Sequence, residues 1–84
     1  HTHGAVNVDA GAVDAVLNRG KSLLQTGITS CEGNFEGGDV VQICAPSGDV
    51  IAHGVIDFDM ELINNDSPVL EARVVVHRNN LVLL

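Results

Sequence analysis

Tryptophan and tyrosine are absent from this 84-residue sequence, and its only aromatics are Phe35 and Phe58. A core organised around large rings is thereby excluded. With 45% hydrophobic residues, the interior must be filled by Val, Ile, Leu and Ala, a composition that favours strands. Long apolar runs are also missing, and nothing approaches the roughly eighteen residues that a membrane-spanning helix requires. The N-terminus has no basic stretch followed by an apolar one, so no secretory leader is read there and a cytoplasmic location is expected.

Metal and redox motifs are equally scarce. Cys31 and Cys44 are the only cysteines, with neither CxxC nor zinc-ligand spacing. They are expected as free thiols, small polarizable fillers of a packed interior. His1 and His3 form an HxH at the start, while His53 and His77 stand alone. A metal site needs three or four converging ligands, and no pattern gathers them, so none is expected. Asp57, Asp59 and Glu61 alternate, but a calcium loop needs more ligands and a glycine turn. They read as a solvated acidic face.

Positive charge is confined to two places. Arg19 and Lys21 lie early, Arg73 and Arg78 late, and between Ser22 and Ala72 there is no Lys or Arg against nine acids, in a chain of net charge −7. Whether the two basic pairs meet depends on the fold.

This length supports one domain with one core, burying roughly two-thirds of the unfolded surface. Residues 5–8 alternate as a short strand and lead to Asp9, a good helix N-cap. The helix is expected over about residues 10–18, with Ala12, Val13, Val16 and Leu17 on one face and Gly20 closing it as a left-handed cap. Ser22 to Leu24 leads to a turn at residues 25–27, and strands follow over 28–32, 39–45 and 50–58. Pro46-Ser47-Gly48-Asp49 makes the second pair of these a hairpin, and Gly54 marks a bulge or a close backbone approach. Phe35, between glycine-rich breaks, is expected to pack inward. Residues 59–68 allow one helical turn before Pro68 breaks it, 69–77 read as a strand, and 81–84 as another after a turn at 78–80. The expected fold class is mainly β with one early α-helix. Five or six strands in so small a chain must curl into a nearly closed barrel, or an apolar face would stay exposed. Both ends are strand-like and apolar, as expected of a domain cut from a larger protein or starting after a linker.

Gly20-Lys21-Ser22 reproduces the end of a phosphate-binding loop. That loop needs a second glycine five residues earlier, where Ala15 stands, and it must open a helix after a strand. Here the triplet follows a helix, so it reads as a helix terminator.

The run VDAGAVDAVLNRGKSLLQTGI (residues 8–28), then EGNFEGGDVVQI, GDVIAHG and the closing VVHRNNLVLL, resembles the PUA domain found at the C-terminus of glutamate 5-kinases. The resemblance departs between Phe58 and Val74, where the family carries a longer helical segment. It also departs at Asn79, where the family often has an acid, and at Gln25, where it commonly has proline. It implies a small PUA-like pseudobarrel over residues 1–84, and a parent enzyme that phosphorylates the side-chain carboxylate of glutamate with Mg-ATP. The catalytic amino-acid kinase domain would lie upstream, outside this chain. No catalytic residue, cofactor site or metal site is carried over to these residues, and the domain itself is expected not to be an enzyme. Two roles stay open. One is an accessory module that packs on the kinase oligomer and modulates assembly or feedback control. The other is weak RNA binding, for which PUA relatives use the first helix, the loop after it and the last strand; here that surface would gather Arg19, Lys21, Arg73 and Arg78.

Overall fold

A computed structural model describes residues 4–64 and 73–84, with the side chains of Leu62 and Asn64 left aside. The chain runs β1 (Gly4–Val8), α1 (Ala10–Leu17), β2 (Leu23–Leu24), a 3-10 turn (Gln25–Gly27), β3 (Ile28–Gly33), β4 (Val40–Cys44), β5 (Val50–Val55), α2 (Met60–Asn64), β6 (Val74–Val76), a second 3-10 turn (Arg78–Asn80) and β7 (Leu81–Leu83). His1 and His3, and the first four residues of the strand expected at 69–77, fall outside the described residues.

Five strands form one sheet in the order β3-β1-β4-β5-β7, and β2 with β6 forms a second. All pairings are antiparallel except β1 with β4, which run parallel. The fold is mainly β with one long helix, as the composition predicts. Among the described residues seven strands appear where five or six were expected, because Leu23 and Leu24 pair with Val76 and Val74.

Alternation sets which residues turn inward in β1, β4 and β5, whereas β6 buries the adjacent Val75 and Val76. Val6 and Val8 of β1, Val41 and Ile43 of β4, Ala52 of β5 and Val75 and Val76 of β6 are buried with Val16, Leu23, Phe35, Ile56 and Ile63. Phe35 is only 2% exposed: one ring among aliphatic side chains, filling the gap between the glycine-rich breaks.

The strand expected over 50–58 stops at Val55. At this point the chain changes partners. The Ile56 N–H still donates to the Asp39 carbonyl at 3.0 Å, but the Asp57 N–H donates to Val75 of β6 at 2.8 Å. Residues 56–57 are therefore the corner joining the two sheets, a switch that residue types alone do not announce. Gly54 sits beside that corner as a close approach: a Cβ there would lie 2.6 Å from Val76 Cγ1.

Candidate functional site at the helix exit

Helix α1 starts where the sequence places it. The Asp9 carboxylate accepts the Ala12 N–H at 2.7 Å, satisfying one of the free donors of the first turn. At the other end, the Asn18 and Arg19 N–H groups both reach the Asp14 carbonyl, at 2.9 and 3.2 Å, and the Lys21 N–H reaches that of Ala15 at 2.9 Å. Gly20 makes this possible with φ of 61°. Its Cβ position is open space, so glycine is favoured there by backbone conformation and not by crowding.

The triplet Gly20-Lys21-Ser22 thus closes a helix. Its serine is already engaged: the Ser22 hydroxyl accepts the Arg78 N–H at 2.8 Å. That bond ties the loop after α1 to the 3-10 turn before β7 and brings Lys21 and Arg78 to one cleft of about 210 Å³, lined also by Val16, Gly20, Asn79, Leu81 and Leu83. Arg19 is exposed one residue before the left-handed turn and lines neither this cleft nor its neighbour. Arg73 is exposed beside β6, where its carbonyl accepts the Gln25 N–H at 3.0 Å. Of the four candidate cations, the structure brings Lys21 and Arg78 together and leaves Arg19 and Arg73 apart from that cleft.

Lys21 also borders a second cleft of about 240 Å³ under the start of α1, between Asp9, Ala12, Ala15, Leu23, Leu24 and Gly27. Sequence reading missed the Ser22 tie, which spans 56 residues. No local pattern signals a contact of that range.

The remaining polar groups mostly hold loops. Asp59 accepts the Gly37 N–H at 2.7 Å, and Asp39 accepts that of Glu36 at 2.9 Å. Asp57 lies 3.3 Å from His77 Nε2 at an exposed pair. On the outer face of the sheet, Asn7 Nδ2 donates to Ser30 Oγ and Glu32 Oε2 at 2.9 and 3.1 Å. Among the described residues, no group of three or more His, Cys, Asp or Glu side chains could hold a metal ion, and no helix is long and apolar enough to cross a membrane.

Both cysteines are free. Cys31 stands opposite inward-facing Val6, whereas Cys44 is in register with outward-facing Asn7. The thiols therefore point to opposite faces of the sheet. Burial raises the pKa of Cys31; burial and then the nearby Glu32 carboxylate raise that of Cys44. Neither environment favours the thiolate that a nucleophile requires.

A barrel of this topology, with a single long helix between its first two strands, matches known proteins at two levels. The profile of the PUA domain matches residues 4–65. The chain belongs to the PUA domain family. It is also similar to glutamate 5-kinases: 45% identical over 92 residues to that of Trichlorobacter lovleyi, covering 96% of the chain and 24% of the relative. With that of a Synechococcus strain it is 37% identical over 92 residues, covering 96% and 25%. The chain thus spans about a quarter of the length of these relatives. Among solved structures, a PUA domain from Aeropyrum pernix K1, in a tartrate complex, superimposes with a TM-score of 0.80 at 28% identity, covering 90% of this chain and 41% of that one. A chain of the archaeal box H/ACA sRNP Nop10–Cbf5 complex aligns at a TM-score of 0.70 over 100% of this chain and 24% of its own. At 19% identity that likeness shows the fold alone.

Proposed function

We propose that this chain is the non-catalytic C-terminal PUA domain of a glutamate 5-kinase and modulates the assembly or feedback control of that enzyme. The observation that carries the reading is the similarity to glutamate 5-kinases across 96% of the chain. The parent enzyme would transfer phosphate from Mg-ATP to the side-chain carboxylate of glutamate. Phosphoryl transfer depends on cradling the phosphates, holding magnesium and orienting the acceptor. The one stretch here that resembles a phosphate cradle is a helix exit whose serine is bonded to Arg78. Chemistry is therefore assigned to the upstream amino-acid kinase domain, with this domain as its partner within the oligomer. Such a domain shifts the enzyme's equilibria only if it contacts active and inhibited arrangements differently, and couplings of about 1–3 kcal/mol, roughly 5- to 150-fold in effector affinity, are typical.

The test compares full-length kinase with a form lacking these residues, in turnover, proline inhibition, magnesium response and sedimentation. Intact turnover with altered inhibition, magnesium response or assembly is the expected result. Loss of the chemical step in a well-folded truncated enzyme would overturn the assignment, and no change in any property would overturn the regulatory part.

A second reading, weak RNA binding, is favoured by the meeting of Lys21 and Arg78 at one cleft. With only four fixed cations in the chain, single-stranded RNA binding would show a log-log salt slope no steeper than about −3. A Lys21→Ala, Arg78→Ala double variant should reduce it.

A further inference from the structure

The five-stranded sheet ends at β7 on one side and β3 on the other. The β3 edge carries Glu32, whereas β7 is Leu81-Val82-Leu83. Exposed strand edges are ordinarily guarded by charge, proline, a bulge or a covering element. Strand β7 holds no charge or proline and pairs with β5 without a register shift, and Val82 and Leu83 are 65% and 49% exposed. Its ladder also fixes which backbone groups are spare. Val82 stands opposite His53, and the Leu84 N–H donates to the Ile51 carbonyl at 3.0 Å. Antiparallel alternation then turns the Val82 and Leu84 groups toward β5 and directs the N–H and C=O of Leu83 outward.

Beside this edge lies the cleft in which Lys21 and Arg78 stand over the apolar wall of Val16, Leu81 and Leu83. Among the described residues no acid lines it, in a chain whose net charge is −7. An apolar strand edge with two cations alongside has a definite complement.

We infer that the β7 edge, with Lys21 and Arg78, docks an extended segment of a partner protein in which apolar residues alternate with acidic ones, added as a further strand with a carboxylate against the two cations. Strand addition uses spare backbone groups for affinity and the flanking side chains for specificity. RNA fits less well, because sequence-tolerant RNA binding leans on exposed rings for base stacking; Phe35 is buried, Phe58 is half-buried and packed on the core, and no other aromatic exists. A second copy joined β7 to β7 fits less well too, since that strand brings no carboxylate side chain to meet Lys21 and Arg78. The inference goes beyond the kinase reading and does not depend on it.

The test uses the 84-residue chain, with a labelled hexapeptide alternating valine and glutamate as probe, its valine-lysine counterpart, and a uridine hexanucleotide. The valine-glutamate peptide should bind saturably and shift the amide signals of Lys21 and Leu81 to Leu84. Replacing Lys21 and Arg78 together by alanine should weaken it about 2- to 30-fold, the range for two exposed ion pairs. Leu83→Pro removes an outward N–H without touching the bonds to β5 and should abolish binding while the circular dichroism spectrum is kept. If that variant unfolds, Leu83→Glu, which sets a like charge against the peptide's carboxylates, is used and should give the same loss. Equal binding of the lysine peptide, no peptide binding at millimolar concentration, binding of the hexanucleotide in place of the peptide, or self-association through β7 would each overturn the inference. None of these measurements involves kinase activity, so failure here is distinguishable from failure of the accessory assignment.

Discussion

The Arg78 N–H donates to the Ser22 hydroxyl at 2.8 Å, joining the exit of α1 to the turn that launches β7. Removing the hydroxyl with Ser22→Ala should cost about 0.5–1.5 kcal/mol, the ordinary net worth of one hydrogen bond, toward the lower end because the site is exposed. In a domain of this size each kcal/mol corresponds to about 4–8 °C in Tm. The same variant should broaden or shift the amide signals of Lys21 and Arg78 together. If only one of the two segments responds, the tie does not couple them.

Gly54→Ala should be more damaging. The added Cβ would lie 2.6 Å from Val76 Cγ1 and 3.1 Å from Leu81 Cδ2, forcing β6 and β7 away from β5. Overpacking of this kind costs about 1–3 kcal/mol, measurable by urea unfolding. Gly20→Ala meets no atoms and should cost only about 1 kcal/mol, from backbone conformation. A Gly20 cost larger than that of Gly54 would mean that the sheet corner is looser than its geometry implies.

Much of the local structure was legible in the sequence because its causes are local. Asp9 caps α1, Gly20 ends it, and Pro46 to Asp49 turn the β4–β5 hairpin, each within a few residues of its effect. Gly54 was legible as a close approach, although Val76 as the neighbour was not. What escaped is long-range: the β2–β6 pairing, the change of partner at residues 56–57 and the Ser22–Arg78 bond. The candidate site divides the same way. The family resemblance nominated the surface of Arg19, Lys21, Arg73 and Arg78, the four fixed cations of the sequence, but only the folded chain shows that Lys21 and Arg78 share a cleft, because backbone pairing decides which distant loops meet.

Mg-ATP should not shift the amide signals of Gly20 to Leu24 at millimolar concentration. The loop leaves a helix instead of opening one, so the amides that cradle a phosphate at a helix start are not directed at Lys21. Saturable shifts confined to that loop would contradict this geometry.

The thiols make a prediction in pH. Both cysteines titrate above the ordinary thiol value of 9.0. In the unfolded chain they lose protons first, so the native state binds more protons once pH exceeds that value. Stability is then fully kept below about pH 9 and falls as pH rises through the folded pKa values. Cys31→Ala with Cys44→Ala should flatten this alkaline decline, read from urea midpoints between pH 7 and 10.5. Reductant should leave Tm unchanged, since the two side chains face opposite sides of the sheet; a large drop would reveal a cross-link.

The first strand lies inside the sheet, flanked by β3 and β4. Gly4 pairs with Val41, a separation of 37 residues. At ribosomal rates of about 5–20 residues per second, that interval corresponds to roughly 2–7 seconds of synthesis. For that time β1 exists while β4, one of the two strands that pair with it, has not been made. Strand β1 therefore waits with its β4 edge unpaired until that later segment is made, and slow codons between residues 10 and 40 would lengthen the wait.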